Sequence, residues 1–206
     1  MIAIIDYGMG NLRSVQKSFE KVGYQAKITN KKEQLLDADG VVLPGVGAFK
    51  DAIENLQELD LIDTIYQVVE EGKPFLGICL GFQLLFSESE EFGHTKGLDI
   101  ISGSVKKFPS NLGLKIPHMG WNQLNLKQDN RIYDGLVDGE FQYFVHSYYV
   151  ETENEDVVGA TSDYGIEFVA SIAKDNVYGA QFHPEKSSDK GLQILKNFGK
   201  IVEEVE

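Results

Sequence analysis

The chain has 206 residues, of which 42% are hydrophobic, and its formal net charge is −13 at pH 7. This size suits one well-packed domain over residues 1–206. The acidic balance disfavours non-specific binding to nucleic acid or to an anionic membrane surface. No run of about 18 apolar residues is present, so no transmembrane helix is expected. A single cysteine cannot form an intrachain disulfide, which fits a cytoplasmic protein.

The first half of the chain alternates strand and helix patterns. The apolar run 2–5 meets an acidic residue at once, so it is predicted to be a first strand and not a signal peptide. A helix is predicted from Leu12, with Asn11 as its N-cap and Gly23 past its end. Further strands are predicted at 24–28, 41–43 and 74–78, with one helical stretch ending near Val69. Strands separated by helices predict a mostly parallel sheet with helices on both faces.

The pattern changes after about Gly93, where strands follow one another through short connections. They are predicted near 97–108, 121–126, 141–150, 157–161, 168–174 and 177–182. A last helix carries Leu192, Leu195, Phe198 and Val202 on one face. The fold class is therefore a single-domain α/β protein whose second half adds antiparallel strands to the central sheet.

The only cysteine, Cys79, stands between Gly77 and Gly81 at the end of the apolar run 74–78. A helical pattern follows it, which predicts a sharp strand-to-helix turn like the elbow that carries the serine in Gly-x-Ser-x-Gly enzymes. A nucleophile on such a turn has strained backbone angles, and side chains on its neighbours would clash. A buried apolar cysteine is the alternative, and the two glycines favour a nucleophile.

A cysteine nucleophile needs a base and a group that orients the base. Among the four histidines, His183 follows the strand predicted at 177–182, and catalytic groups collect at the carboxyl ends of strands in α/β folds. Pro184 fixes the backbone before Glu185, which allows the carboxylate to face the imidazole and select its tautomer. A surface histidine before a turn is the alternative, and the elbow at Cys79 disfavours it.

Attack by a thiolate also requires an oxyanion hole. The backbone N–H of Leu80, directly after the nucleophile, is the first expected donor. The second is expected from the loop 44–47, where Gly45 and Gly47 let the backbone approach a substrate and allow a peptide plane to turn over. A plain turn is the competing interpretation of this loop.

Other patterns are weaker. The glycines at 8–13 form an incomplete dinucleotide fingerprint, because the sixth position is arginine. The four histidines lack metal-ligand spacing, so neither a metal site nor a cofactor is predicted. Acidic residues gather at 88–91 and 151–156, where they are interpreted as solvated loops or helix ends without a function.

With these residues identified, the chain resembles the class I (triad-type) glutamine amidotransferases. The segments Gly-Ile-Cys-Leu-Gly-Phe-Gln at 77–83 and Phe-His-Pro-Glu at 182–185 are similar to the two signatures of that superfamily. Four more segments, at 6–11, 44–49, 117–122 and 143–148, make it more similar to the glutaminase subunits of imidazole glycerol phosphate synthases. Phe82 stands where methionine is more frequent, which is a mild apolar change.

The resemblance implies a reaction and a role for each matching residue. Cys79 would attack the carboxamide of L-glutamine to give a γ-glutamyl thioester, with His183 as base and acid and Glu185 orienting it. The amides of Val46 and Leu80 would hold the oxyanion. The amino-acid end of glutamine would be bound by Gly45, Gly47, Gln83, Ser147 and Tyr148.

A partner subunit is also implied. Free ammonia becomes ammonium in neutral water and ceases to be a nucleophile, so it needs a shielded path to its acceptor. The resemblance implies a heterodimer with a cyclase subunit, whose (β/α)8 barrel makes imidazole glycerol phosphate in histidine biosynthesis. Candidates for the contact surface are His118, Met119, Trp121, Asn122 and Lys186. A core position for Trp121 and a merely solvated Lys186 are the alternatives.

Three other functions stay open at this point. One is the glutaminase chain of anthranilate or aminodeoxychorismate synthase. Another is a stand-alone γ-glutamyl cysteine hydrolase, which would act fully without a partner. The third is a catalytically silent binding protein with the same fold, against which the set Cys79, His183 and Glu185 argues.

Overall fold

The computed structural model describes residues 1–127 and 130–205. The helices are α1 (Leu12–Lys21), α2 (Lys32–Leu36), α3 (Phe49–Glu58), α4 (Ile62–Glu70), α5 (Leu80–Leu84) and α6 (Ser188–Glu203). The strands are β1 (Ile2–Ile5), β2 (Ala26–Thr29), β3 (Gly40–Gly45), β4 (Phe75–Cys79), β5 (Phe86–Ser89), β6 (Thr95–Lys96), β7 (Ile101–Lys107), β8 (His118–Gln123), β9 (Asn125–Leu126), β10 (Phe141–His146), β11 (Tyr148–Glu151), β12 (Val158–Asp163), β13 (Glu167–Lys174) and β14 (Val177–Ala180). Within these residues, no helix is long and apolar enough to cross a membrane.

A parallel sheet in the order β2-β1-β3-β4-β14 forms the centre of the fold. Its side chains alternate between two apolar cores: Ala3 and Ile5 of β1 belong to one, Ile2 and Ile4 to the other. Helices α3 and α4 supply apolar side chains to the first core, and α1 and α6 to the second. Because both faces are covered, the strands β1, β3, β4 and β14 are buried along their whole length, whereas the edge strand β2 is only partly buried.

The second half of the chain extends this sheet. Strand β13 pairs antiparallel with β14, and the sheet continues through β11, β7, β5 and β6. Strands β12 and β9 join beside β13. The predicted addition of antiparallel strands is therefore confirmed, although β5 and β7 pair in parallel.

One predicted strand is two in the structure. The segment 141–150 divides at Ser147 into β10 and β11. Strand β11 stays in the main sheet, whereas β10 leaves it and pairs with β8 in a separate two-stranded ribbon. This division matters for the site, because Ser147 and its neighbours line the cavity described below.

The helix predicted to end near Val69 is likewise two helices. Asp60 has a φ of 53°, a left-handed conformation that ends α3 before α4 begins. The short helix α2 and the strands β5 and β6 were not predicted. Helix α5 has only five residues, because the chain turns into β5 at Phe86.

Candidate active site

Cys79 ends β4, and α5 begins at the next residue. Its φ of 55° and ψ of −109° are strained for a residue with a side chain. A Cβ on Gly81 would lie 1.8 Å from the Leu43 carbonyl oxygen, and one on Gly77 would lie 2.8 Å from the Gly81 carbonyl oxygen. The two glycines are thus required by close backbone contact around the turn.

The segment after β14 emerges beside Cys79, because β14 and β4 are parallel neighbours with Ala180 opposite Ile78. His183 follows, and its Nδ1 lies 2.8 Å from Oε1 of Glu185. The side chains of both residues are buried, with 2% and 1% exposed. Pro184 starts a short 3-10 turn between them, which brings the two side chains together across one residue.

Hydrogen bonds hold His183 at both ends of its backbone. Its N–H donates to the Tyr143 carbonyl at 2.9 Å, and its carbonyl accepts from the Ser187 hydroxyl at 2.6 Å. The same hydroxyl oxygen accepts from the N–H of Tyr143 at 2.9 Å. The imidazole is therefore anchored to β10 and to the start of α6.

Two opposing effects set the pKa of His183. Burial lowers it, but hydrogen bonding and charge at Cys79 and Glu185 raise it more, to about 9. Because Nδ1 faces the Glu185 carboxylate, Nε2 is the nitrogen left for the Cys79 sulfur and the substrate. The ring can hold a proton at neutral pH and release it to a leaving group.

A cavity of about 350 Å³ opens above these residues. This volume suits a small amino acid. Among the residues that the structure describes, no group of three or more His, Cys, Asp or Glu side chains is placed to hold a metal ion. The walls of the cavity are Val46, Gly47, Cys79, Leu80, Gln83, Glu91, Pro117, Val145, His146, Ser147, Tyr148 and His183.

A larger, open groove of about 1210 Å³ lies elsewhere, along β7, β11 and β13. Its lining includes neither Cys79 nor His183. The smaller cavity is therefore the candidate site, because it alone of the two contains a nucleophile and a base.

The loop expected to supply an oxyanion donor lies at the rim of the cavity. Gly45 is opposite Cys79 in the β3–β4 register, and Val46 is 40% exposed. Gly47 has a φ of 106°, and a Cβ there would lie 2.5 Å from Cε of Met9. Val46 and Gly47 line the cavity with Leu80. Gly45 does not, because it faces the Tyr7 hydroxyl.

Gln83 lies in the cavity wall with its amide already engaged. Its Nε2 donates to the Tyr148 carbonyl at 3.0 Å and to Oε1 of Gln181 at 2.9 Å. Since both hydrogens of the amide are used, the group that Gln83 can offer to a ligand is its Oε1 acceptor.

Glu91 was missed by the sequence interpretation, which placed it in a solvated acidic run. It is 9% exposed and lines the cavity, and its carboxylate accepts the Phe49 N–H at 2.7 Å. Burial raises the pKa of Glu91, and the hydrogen bond from Phe49 opposes that shift. Nothing in the acidic run separates Glu91 from Glu88 or Glu90, because its hydrogen bond is to Phe49, the first residue of α3, which is distant along the chain.

Four of the five residues predicted for the contact surface lie on β8, along which side chains alternate between two faces. Met119 and Trp121 are 63% and 52% exposed on one face, so Trp121 is not a core residue. His118 is buried on the other face, so the prediction of a surface role for its side chain is wrong. Asn122 shares that inner face and donates to the Asp163 carbonyl at 2.7 Å. Lys186 is exposed, one residue after Glu185.

Comparison with known proteins agrees with this geometry. Residues 3–202 match the family described as glutamine amidotransferase class-I. The chain therefore belongs to the class-I glutamine amidotransferase family, and the resemblance seen in the sequence is confirmed.

Two similar relatives carry the same name. The chain is 57% identical over 204 residues to "Imidazole glycerol phosphate synthase subunit HisH" of Syntrophotalea carbinolica, covering 97% of this chain and 99% of the relative. It is 53% identical over 201 residues to the protein of the same name from Moorella thermoacetica, covering 98% and 95% of the two chains.

Solved structures share the fold at much lower identity. A structure described as a glutamine amidotransferase aligns with a TM-score of 0.75 at 21% identity, covering 97% of this chain and all of the other. A chain of the PurLQS structure from Thermotoga maritima aligns with a TM-score of 0.76 at 18% identity, covering 97% of each chain. At these identities the likeness concerns the fold alone.

Proposed function

We propose that this chain is the glutaminase subunit of an imidazole glycerol phosphate synthase, which hydrolyses L-glutamine and passes ammonia to a cyclase partner. The near full-length identity to subunits of that name supports the assignment. One observation carries the chemistry: Cys79 sits on a strained turn beside the buried pair of His183 and Glu185.

The first half of the reaction forms a thioester. His183 Nε2 takes the proton of the Cys79 thiol as the sulfur attacks the carboxamide carbon of glutamine. The carbonyl oxygen becomes an oxyanion that the amides of Leu80 and Val46 hold. The tetrahedral intermediate then breaks its C–N bond. His183 Nε2 gives its proton to the departing nitrogen, and ammonia leaves. Glu185 stabilises the charged ring through Nδ1 throughout.

The second half restores the enzyme. His183 Nε2 takes a proton from water, the oxygen of which attacks the thioester carbon. The same two amides hold the second oxyanion. The C–S bond breaks, the proton on Nε2 passes to the departing sulfur, and the products are glutamate and the free cysteine. A raised pKa of about 9 suits a histidine that must carry a proton between these steps.

Charges at the cavity wall suit the zwitterionic end of glutamine. The Glu91 carboxylate and Oε1 of Gln83 are acceptors for the α-ammonium group. Backbone amides at Gly47, Ser147 and Tyr148 are then left for the α-carboxylate. Gly45 supports the loop from beneath and does not touch the ligand in this arrangement.

The proposed docking surface for the cyclase is an exposed apolar face beside the site. Met119 pairs with Val145 and Trp121 with Tyr143 in the β8–β10 ribbon, so these side chains share one face. Val145 also lines the cavity, so this face adjoins the mouth of the site. Apolar patches of this kind mark partner surfaces, and a (β/α)8-barrel partner docked here would receive ammonia without its entering bulk water.

The loop 44–47 suggests regulation by the partner. If its peptide must turn over to complete the oxyanion hole, glutamine hydrolysis is slow in the free chain and rises when the nucleotide-loaded cyclase binds. Measuring glutamate release with and without the loaded partner tests this, and equal rates would refute it.

A direct test uses Cys79→Ala in the complex. Glutamate release and glutamine-dependent formation of imidazole glycerol phosphate should both be lost. Cyclase product fed by ammonium salt should persist, which controls for folding and assembly. Glutamate release that persists in the variant would refute the proposed function. The proposed function would also be refuted if the wild-type complex made no imidazole glycerol phosphate from glutamine.

A further inference from the structure

A buried side-chain amide that the proposed reaction does not use contacts the Cys79 sulfur. Nε2 of Gln181 donates to Sγ at 3.9 Å, and Gln181 is fully buried. Its Oε1 accepts from Nε2 of Gln83 at 2.9 Å, which fixes the amide's orientation. Gln83 in turn donates to the Tyr148 carbonyl at 3.0 Å.

Two buried histidines continue this chain of hydrogen bonds. Nδ1 of His146 lies 2.8 Å from the Tyr148 carbonyl, so Nδ1 carries the proton and Nε2 accepts. That Nε2 lies 3.0 Å from Nδ1 of His118, which must therefore donate. Nε2 of His118 accepts from the Asn122 amide at 3.3 Å. Each hydrogen-bond donor in this series, from the Asn122 amide on β8 to the Gln181 amide beside Cys79, therefore has an acceptor.

Aromatic side chains surround the histidine pair and hold both rings. His118 stacks on Tyr164 with ring centroids 4.0 Å apart and on Phe144 at 5.0 Å. His146 packs against Phe108 at 5.2 Å. Burial lowers the pKa of His118 to about 4 and is the main cause that lowers the pKa of His146 to about 3, so both rings are neutral at neutral pH. Their tautomers therefore persist.

This arrangement has a cost that packing alone does not explain. Apolar residues would fill the same aromatic surroundings without desolvating four ring nitrogens and two amides. A cysteine side chain can change rotamer about its Cα–Cβ bond unless a neighbour holds the sulfur. The series of hydrogen bonds supplies such a neighbour for Cys79. Its far end lies beneath Met119 and Trp121, on the inner face of β8.

We propose that Gln181 is a positioning residue for Cys79, and that Gln83, His146 and His118 hold its amide and tie the sulfur to strand β8. The proposal rests on the proposed function, in which Cys79 is the nucleophile. The sulfur is kept in the orientation that attacks glutamine, and a shift of β8 is transmitted to it through hydrogen bonds.

The test compares three variants of the full chain, each bound to the cyclase partner. Gln181→Met keeps the length of the side chain but removes both hydrogen bonds, and His118→Phe keeps the stacked ring but removes its donor. Tyr164→Phe is the matched control, since it keeps the ring against His118 and loses only the hydroxyl that donates to the Lys115 carbonyl. The readouts are the rate of Cys79 alkylation by iodoacetamide, located by peptide mapping, and kcat and KM for glutamine hydrolysis.

We expect the alkylation rate and kcat to fall about tenfold in Gln181→Met and about threefold in His118→Phe, with Tyr164→Phe unchanged. Wild-type rates in both substituted chains would overturn the proposal, as would an equal fall in Tyr164→Phe. If Gln181→Met does not fold, as judged by circular dichroism, His118→Phe decides alone. Labelling away from Cys79 in the unsubstituted chain would instead refute the proposed function, and this inference with it.

Discussion

Nδ1 of His183 lies 2.8 Å from Oε1 of Glu185, and neither side chain is more than 2% exposed. Burial lowers the pKa of His183, but hydrogen bonding and charge at Cys79 and at Glu185 together raise it to about 9. The folding free energy and the activity of the chain therefore both depend on this contact.

The pair makes stability depend on pH in a defined direction. The His183 pKa of about 9 in the folded chain exceeds the ordinary 6.5, so its stabilising effect is complete below about pH 6.5 and is lost as pH rises through about 9. Glu185→Gln removes the carboxylate that raises this pKa. The wild-type chain should exceed the variant in free energy of unfolding most near pH 6, and the difference should shrink towards pH 10.

Denaturant titrations at several pH values measure that difference. Glu70→Gln, at an exposed position on α4, is the control and should track the wild-type chain at every pH. A difference for Glu185→Gln that stays constant from about pH 6 to 10, or that grows, would contradict the assigned pKa.

Close backbone contact at the elbow predicts a large effect of one methyl group. In Gly81→Ala the new Cβ would lie 1.8 Å from the Leu43 carbonyl oxygen, so the chain should lose about 3 kcal/mol or more of stability. Gly113→Ala is the comparison, since its φ is 70° but nothing lies within 4 Å of the added Cβ. It should lose only about 1 kcal/mol in the same denaturation experiment. Equal losses would count against the tight turn.

The role assigned to Glu91 predicts a change in substrate binding. Glu91→Gln keeps an acceptor for the Phe49 N–H but removes the negative charge opposite the α-ammonium group of glutamine. KM for glutamine should rise about tenfold or more, with a smaller change in kcat. Steady-state kinetics measure both, with the exposed neighbour Glu90→Gln as control. An unchanged KM in Glu91→Gln would remove this residue from the binding site.

Tyr7 carries a buried hydroxyl that has no hydrogen-bond partner within residues 1–127 and 130–205. Removing an unsatisfied buried group relieves a desolvation cost, so Tyr7→Phe should raise the free energy of unfolding by about 1 kcal/mol. Tyr66→Phe is the matched control, because that hydroxyl donates to the Leu98 carbonyl at 2.9 Å. It should lower stability by about 1 kcal/mol. Similar losses in both variants would mean that the Tyr7 hydroxyl is satisfied.

The elbow and the His183–Glu185 pair could be predicted because each depends on short-range geometry. Glycines bracket Cys79 within five residues, and one proline separates the other two side chains. The parallel sheet was predictable for a similar reason, since its inner strands β1, β3 and β4 are buried on both faces and are largely apolar.

Features that depend on packing between distant segments could not be predicted in the same way. Glu91 meets the N–H of Phe49 at the start of α3, and the Gln181 amide meets Gln83 and Cys79, so each contact joins residues that are far apart in the sequence. The inward direction of His118 was accessible in principle. Alternation along β8 places His118 and Asn122 on one face and Met119 and Trp121 on the other.

The covalent intermediate offers the most direct test of the central claim. Wild-type chain, bound to its cyclase partner and mixed with labelled glutamine, is quenched in acid during turnover and mapped by mass spectrometry. The account predicts a γ-glutamyl thioester on the peptide that contains Cys79, and its absence in Cys79→Ser. A γ-glutamyl adduct on any other residue, or sustained turnover by Cys79→Ala, would contradict it.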